Sequence, residues 1–294
     1  MPESELIRVE HEGHEIVCIA YPNAEATRLP VIWIHGLTMS VRFWEAGMFD
    51  AATEGRSWYS ISLPLHFPSG CAGGANPCEI DEALFAELLA ESIDRCVPGG
   101  GFHLVGHSLG GFSALNYAAK YPGRVVSVIS IGGFMRGRAR GIEGALQFLS
   151  KEGLFRKLLF EMGFRFLGLH WLVLKAVTFA YARDWDGYAK FPALNETLKM
   201  VFPDVRRHSI LSQRAFCRYL LEMDLFDEVA EIRQPVLVVA GEKDPIIPYQ
   251  HQRECAEALP AGELLSLPGV GHLAFAEAPA QFVPALVEWL ERHE

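Results

Sequence analysis

The sequence predicts an α/β protein with a mostly parallel central sheet, helices on both faces, and a helical cap inserted after the sixth strand. Three observations carry this. Short apolar runs at 31–34, 102–105, 125–131 and 235–240 alternate with longer stretches of helical periodicity, the pattern of a parallel sheet buried on both sides. Several of these runs end in glycine-containing turns that bear reactive side chains, at His35-Gly36, Gly106-His107-Ser108-Leu109-Gly110 and Gly241-Glu242-Lys243-Asp244. Residues 134–229 then break the alternation with helical patterns and no strand signal. The predicted organisation is a core of 1–133 and 230–294 roofed by a cap of 134–229.

Taken in order, 5–10 and 14–20 are short apolar runs flanked by charges and form an antiparallel hairpin around Glu12-Gly13. Strands follow at 31–35 and 58–63, with a helix between them from about 43 to 53. A loop rich in Gly, Pro and Cys, 67–78, leads to a helix at 81–96, whose Leu84, Phe85, Leu88, Leu89 and Ile93 form a core-facing stripe. The strand ending at Val105, a helix at 109–120 stopped by Tyr121-Pro122-Gly123, and a strand at 125–131 come next. After the cap, strands at 235–240 and 264–267 precede a closing helix at 279–294 with Phe282, Val283, Leu286 and Leu290 inward.

Ser108 between two glycines after an apolar run has the layout of strand, sharp turn and helix, which exposes the hydroxyl beside free amides at a helix N-terminus. The Leu37 and Leu109 amides are placed to hold an oxyanion. Asp244 follows one strand and His272, in Gly269-Val270-Gly271-His272, follows another. Serine is a poor nucleophile until a base takes its proton, so His272 would accept and return that proton while Asp244 orients the imidazole. Glu242 is the alternative acid if the loop register differs. His35 and His107 read as braces for their loops, and His66 and His170 have no assigned role.

The order Ser108, Asp244, His272 resembles the α/β-hydrolase superfamily, and within it a cap-bearing, carboxylesterase-like serine hydrolase. The resemblance rests on the His35-Gly36 turn, the Ser108 elbow, the Gly-x-x-Asp-x-x-x-Pro stretch from Gly241 to Pro248, Gly271-His272, and Glu277-x-Pro279-x-x-Phe282. It covers roughly 1–133 and 230–294. The run Leu63-Pro64-Leu65-His66-Phe67-Pro68-Ser69 departs from it, because relatives usually have a Gly-His-Gly turn there. The resemblance implies hydrolysis of carboxylic esters of small to medium, mainly apolar substrates through an acyl-enzyme, with no cofactor and no metal. Carbon–carbon bond hydrolysis, acyl transfer or perhydrolysis on the same triad, and a ligand receptor that keeps the triad, stand as alternatives. Leu273 occupies the position where carbon–carbon hydrolases often carry an aromatic residue and hydroxynitrile lyases a lysine. A serine nucleophile excludes haloalkane dehalogenases and most epoxide hydrolases.

The net charge of −10 argues against a nucleic-acid partner. The N-terminus lacks an apolar signal core, and the six cysteines are scattered like reduced thiols, so the expectation is a cytoplasmic protein. Cys71 and Cys78 are near enough in sequence to pair. Aromatic residues crowd the cap, and Trp44, Phe164, Phe166 and Trp171 are the expected substrate-binding set. Residues 134–183 hold nine Arg or Lys against three Glu, which predicts either a solvated basic face or weak contact with an anionic membrane or acidic substrate.

Overall fold

A computed structural model describes residues 4–46, 50–71, 80–97 and 99–294 of the chain. Its strands are β1 (Glu5–His11), β2 (His14–Tyr21), β3 (Val31–Ile34), β4 (Trp58–Ile61), β5 (Gly70–Cys71), β6 (Phe102–His107), β7 (Val125–Ile131), β8 (Val236–Gly241) and β9 (Gly262–Leu267). They form one sheet in the order β1-β2-β4-β3-β6-β7-β8-β9, with β5 also on β2. The β1–β2 turn places Glu12 and Gly13 at φ 46° and 72°, the handedness a tight hairpin requires. From β4 to β9 every pairing is parallel.

The helices are α1 (Asp50–Thr53), α2 (Glu82–Cys96), α3 (Leu109–Lys120), α4 (Gly141–Ser150), α5 (Leu154–Leu167), α6 (Trp171–Thr178), α7 (Trp185–Lys190), α8 (Leu194–Val205), α9 (Ile210–Tyr219), α10 (Tyr249–Ala258), α11 (Ala274–Glu277) and α12 (Pro279–Arg292). Asp81 starts α2 by accepting from the Leu84 amide at 2.8 Å, satisfying a donor the first turn leaves free. The predicted stripe of α2 is core: Phe85, Leu88, Leu89 and Ile93 are buried with Phe112 of α3 against one face of the sheet. On the other face Phe282, Leu286 and Trp289 of α12 pack on Trp33, Val105 and Ile129. With both faces covered, β3 and β6 are buried at every residue, which is why they read as unbroken apolar runs.

Several expectations change. The helix predicted at 43–53 is a 3-10 turn at Val41–Trp44 and, separately, the short α1; residues 47–49 lie outside the described residues. The closing helix is found where expected, as α12, with Pro279 opening it, where a missing N–H costs nothing; the short α11 before it was not expected. Because β5 joins the sheet, the strand before the helical insertion is the seventh, not the sixth. Cys78 lies outside the described residues, and with it any pairing to Cys71.

The helices α4 to α9 run between β7 and β8. The two ends of this insertion are tied to each other: Gly137 N–H donates to Met223 O and Leu225 N–H to Met135 O, both at 3.0 Å, and Arg136 pairs with Asp224. The chain therefore leaves and rejoins the sheet at one place. Strand order reverses between β3 and β6, because β4 lies on one side of β3 and β6 on the other. A crevice at the carboxyl ends of the strands forms at such a switch point.

That crevice depends on helix α3 crossing close to β3. A Cβ on Gly110 would collide with the carbonyl oxygens of Ile34 and His35, both backbone. Gly110→Ala should therefore destabilise the fold by at least ~2 kcal/mol, read as a fall in denaturation midpoint, and a wild-type midpoint would mean that α3 can shift freely.

Candidate active site

Ser108 sits at the end of β6 with φ 54° and ψ −116°, a backbone conformation that costs a non-glycine residue ~1–3 kcal/mol. It is held there from both sides. Its N–H donates to Ile131 O at 2.8 Å, and its carbonyl accepts from Gly111 and Phe112 at 2.9 and 3.1 Å. Leu109 is the first residue of α3, so its amide has no earlier helical carbonyl to bind. Leu37, on the loop after β3, lines the same cavity as Ser108.

Asp244 follows β8 and reaches His272, which follows β9: Asp244 Oδ2 lies 2.7 Å from His272 Nδ1, with both side chains essentially inaccessible. The Asp244 carboxylate also accepts from the Ile246 and Ile247 amides at 2.8 and 3.0 Å and from Gln252 Nε2 at 2.9 Å. Its orientation leaves His272 Nδ1 as donor and Nε2 as acceptor. Both His272 Nε2 and Ser108 Oγ are buried without a hydrogen-bond partner among the described residues, and both residues line one cavity. Glu242 is elsewhere, accepting from Ser266 Oγ at 2.9 Å. Burial by itself would push the His272 imidazole down, but the charge and hydrogen bond of Asp244, with the charges of Glu143 and Glu277, raise it above the ordinary 6.5.

Two acids carry more of this site than the sequence suggested. Glu277 Oε2 accepts from the amides of Gly271, Arg183 and Asp184 at 2.8 to 2.9 Å, and its Oε1 accepts from Leu273 at 3.0 Å. One buried carboxylate thus clamps the residues either side of His272 to the insertion, and the His272 amide adds a bond to Tyr181 O at 2.9 Å. Its sequence signal was the Glu277-x-Pro279-x-x-Phe282 resemblance, which gave no role. Glu143, on the first turn of α4, lines the cavity with Ser108 and His272. It is placed there because Arg140 N–H donates to Ile246 O at 2.8 Å, tying α4 to the loop that carries Asp244. Burial, reinforced by Asp244 and opposed by His272 and a Tyr181 hydrogen bond, raises the Glu143 carboxyl to about 7.

Five other histidines, His35, His66, His107, His170 and His208, brace backbone near the site or cap a helix. His35 donates to Gly36 O and accepts from the Leu63 amide; His66 accepts from the Thr38 amide and donates to Pro64 O; His208 accepts from the Phe67 amide and donates to Met39 O. Burial pushes all three down, His35 to about 3 and His208 to about 4, so each is a neutral ring using one donor and one acceptor. Together with Gln213, which donates to Leu65 O at 2.9 Å, they set the shape of the divergent 63–69 loop. His107 donates through Nε2 to His272 O at 3.2 Å. His170 caps α6, accepting from the Leu172 amide.

The expected substrate-binding aromatics do not line the cavity. Trp44 is buried one layer behind it, with its ring 4.9 Å from Trp33 and 4.8 Å from Phe43. Phe164 is buried in a stack with Phe160 at 4.7 Å. Phe166 is 56% exposed, and Trp171 lies under Lys199, whose Nζ is 4.9 Å from its ring centroid. The apolar wall is made instead by Phe43, Tyr188, Phe191, Leu194, Leu198 and Phe275. Residues of the insertion do line the cavity, among them Glu143, Thr178, Tyr181 and Leu198.

The His272 ring should titrate above 6.5 in an NMR pH series. Replacing Glu143 with Gln removes a negative neighbour of the imidazolium, so the His272 value should move down. An unchanged titration would mean that the Glu143 charge does not reach the ring.

The model of the alpha/beta hydrolase fold family matches residues 30–279. A proposed carbamate hydrolase, RutD, of Pantoea ananatis is 25% identical over 92% of this chain and 90% of its own. A pimeloyl-[acyl-carrier protein] methyl ester esterase of Nitrosomonas europaea is 26% identical over 86% of this chain and 92% of its own. Among solved structures, a thermophilic esterase from Thermogutta terrifontis superposes with a TM-score of 0.67 at 20% identity, covering 99% of this chain and 100% of that one. The strand order, the serine turn and the family match agree: the chain belongs to the α/β-hydrolase fold family.

Proposed function

We propose that the protein hydrolyses carboxylic esters with small, mainly apolar acyl groups through an acyl-enzyme on Ser108. The observation that carries this reading is the pair of unpartnered atoms, Ser108 Oγ and His272 Nε2, buried at one cavity with Asp244 already bound to the far side of the imidazole. His272 takes the Ser108 proton as the hydroxyl attacks the ester carbonyl. The Leu37 and Leu109 amides stabilise the oxyanion. The imidazolium then protonates the departing alcohol, and a water activated by the same histidine releases the acid. Asp244 orients the ring and favours its cationic form.

The cavity volume of about 50 Å³ is a third of the ~150 Å³ that holds benzene, which favours acyl groups of a few carbons. Its walls are apolar except for Ser108, His272, His107, Glu143, Tyr181, Tyr188 and two threonines. That buried acid supports a second reading. A carbamate offers the same carbonyl to Ser108 and, unlike an ester, an N–H that a Glu143 carboxylate can accept. The carbamate hydrolase relative points the same way.

The test is a panel of acetate, butyrate and octanoate esters with a carbamate of the same alcohol. Ser108→Ala and His272→Ala should each cost on the order of 10⁶ in kcat, and the double variant little more, because the residues act as one unit. Asp244→Asn should cost roughly 10⁴ through the wrong imidazole tautomer, while Glu242→Gln stays near wild type. Substantial turnover by Ser108→Ala would sink the serine mechanism. A carbamate preference abolished by Glu143→Gln would select the second reading.

Chain-length preference should follow the observed wall. Leu198→Ala should raise kcat/KM for butyrate relative to acetate, at a stability cost of about 2–4 kcal/mol. Phe166→Ala should leave the ratio unchanged, and the opposite pattern would return Phe166 to the pocket.

A further inference from the structure

Helix α5 carries its most exposed apolar side chains on the side that faces away from the protein. Leu154, Phe155, Leu158, Leu159, Met162 and Phe166 are all exposed, Leu154 and Phe155 at 76% and 73%. At roughly 100° per residue they occupy an arc of about 140°, opposite the buried Phe160 and Phe164. The helix is therefore apolar on two opposed faces, the pattern of an element covered on both sides, and only the inner one is covered here. Phe148 of α4 and Leu172 of α6, 54% and 52% exposed, extend the outer patch onto the two neighbouring helices. Contiguous apolar surface of this kind marks an interaction site.

The charges around the patch select its partner. The chain carries −10, yet residues 134–183 hold nine Arg or Lys against three Glu. Of those three, Glu143 is buried at the cavity, Glu152 pairs with Arg218, and Glu161 lies 3.9 Å from Lys157. Lys151 and Arg165 are exposed beside the patch, and Arg156 lies over the Phe148 ring at 4.6 Å. A second copy docking through this face would set basic surface against basic surface. An anionic bilayer offers what both features need, acyl chains for the apolar arc and headgroup charge for its rim. At 14 residues α5 is about 21 Å long, and among the described residues no helix is long and apolar enough to cross a membrane. Its geometry suits lying in the interface plane.

We propose that the outer face of α5, with Phe148 and Leu172, docks the protein on an anionic phospholipid surface. Glu143, Thr178, Tyr181 and Leu198 belong to the same insertion and line the cavity, so docking holds the Ser108 chamber beside a phase in which apolar esters concentrate.

The test uses the full chain and sedimentation with vesicles of phosphatidylcholine alone or mixed with phosphatidylglycerol, at low and high salt. The protein should bind the mixed vesicles, at least ~tenfold more weakly when the anionic lipid is omitted or salt is raised. The variant Leu154→Ser, Phe155→Ser, Met162→Ser should lose at least ~tenfold in vesicle affinity and keep wild-type turnover of a water-soluble acetate ester. Lys151→Glu, Arg165→Glu gives a second measure that leaves the apolar face intact and should weaken the salt dependence. No binding to mixed vesicles, or equal binding by both variants, overturns the proposal. So does a dimer in size-exclusion chromatography that the serine variant splits, because the face would then belong to a second copy. Vesicle binding is read without turnover, so an inactive protein that still binds would overturn the ester reading and leave this one standing.

Discussion

The strained serine turn is the constraint from which the other features follow. Ser108 can hold φ 54° and ψ −116° only because its surroundings over-determine it: hydrogen bonds on its N–H and carbonyl, and glycines two residues to either side. A Cβ at Gly106 would collide with the Gly110 carbonyl, and one at Gly110 with the Ile34 carbonyl. These absent methyls let α3 pass directly over β6 and β3. The close passage in turn brings the loop after β3, with Leu37, to the serine. A strain of ~1–3 kcal/mol is small beside the burial of Phe112, Ala114, Leu115 and Ala118 along α3, so the core stabilises the geometry that the chemistry requires.

Three buried or half-buried acids surround His272, and their hydrogen-bond partners divide the work. Asp244 accepts from two backbone amides, one Gln and the imidazole, a saturated environment suited to a fixed negative charge. Glu277 accepts from four backbone amides and acts as a fastener between the histidine loop and the insertion. Glu143 has the Tyr181 hydroxyl against a dominant burial penalty, and it is the acid raised to about 7. Its charge is one of those that raise the His272 imidazole.

The insertion serves two surfaces at once. Its inner side closes a small apolar chamber over Ser108, and its outer side leaves a row of large apolar side chains uncovered. Because α4 is tied to the Asp244 loop through Arg140 and Ile246, and the 181–184 stretch to His272 and Glu277, anything that binds the outer side acts on helices attached directly to the triad loops.

The sheet, the serine turn, and the placement of Asp244 and His272 after successive strands were legible in the sequence because short-range chemistry sets them. An apolar run buried on both faces, a glycine where no Cβ fits, and a strand followed by a turn leave their mark within a few residues. The pocket wall was not legible. Residues 148–172 are apolar on more than one side, and hydrophobic periodicity reports the direction of an apolar arc without saying whether protein or something else covers it, so Phe166 read as pocket and proved to face outward. Phe191, Leu198 and Glu143 gave no local sign of reaching the serine, and Glu277 entered only through a resemblance that gave it no role. Their roles depend on segments distant in sequence, as when Glu277 accepts from the Arg183 and Asp184 amides more than ninety positions away. The sequence by itself determined the fold and the strand-end positions of Ser108, Asp244 and His272, because those rest on local backbone sterics and burial; the tertiary structure alone decided which side chains enclose them and which acid is held near neutrality, because enclosure and desolvation exist only once distant segments meet.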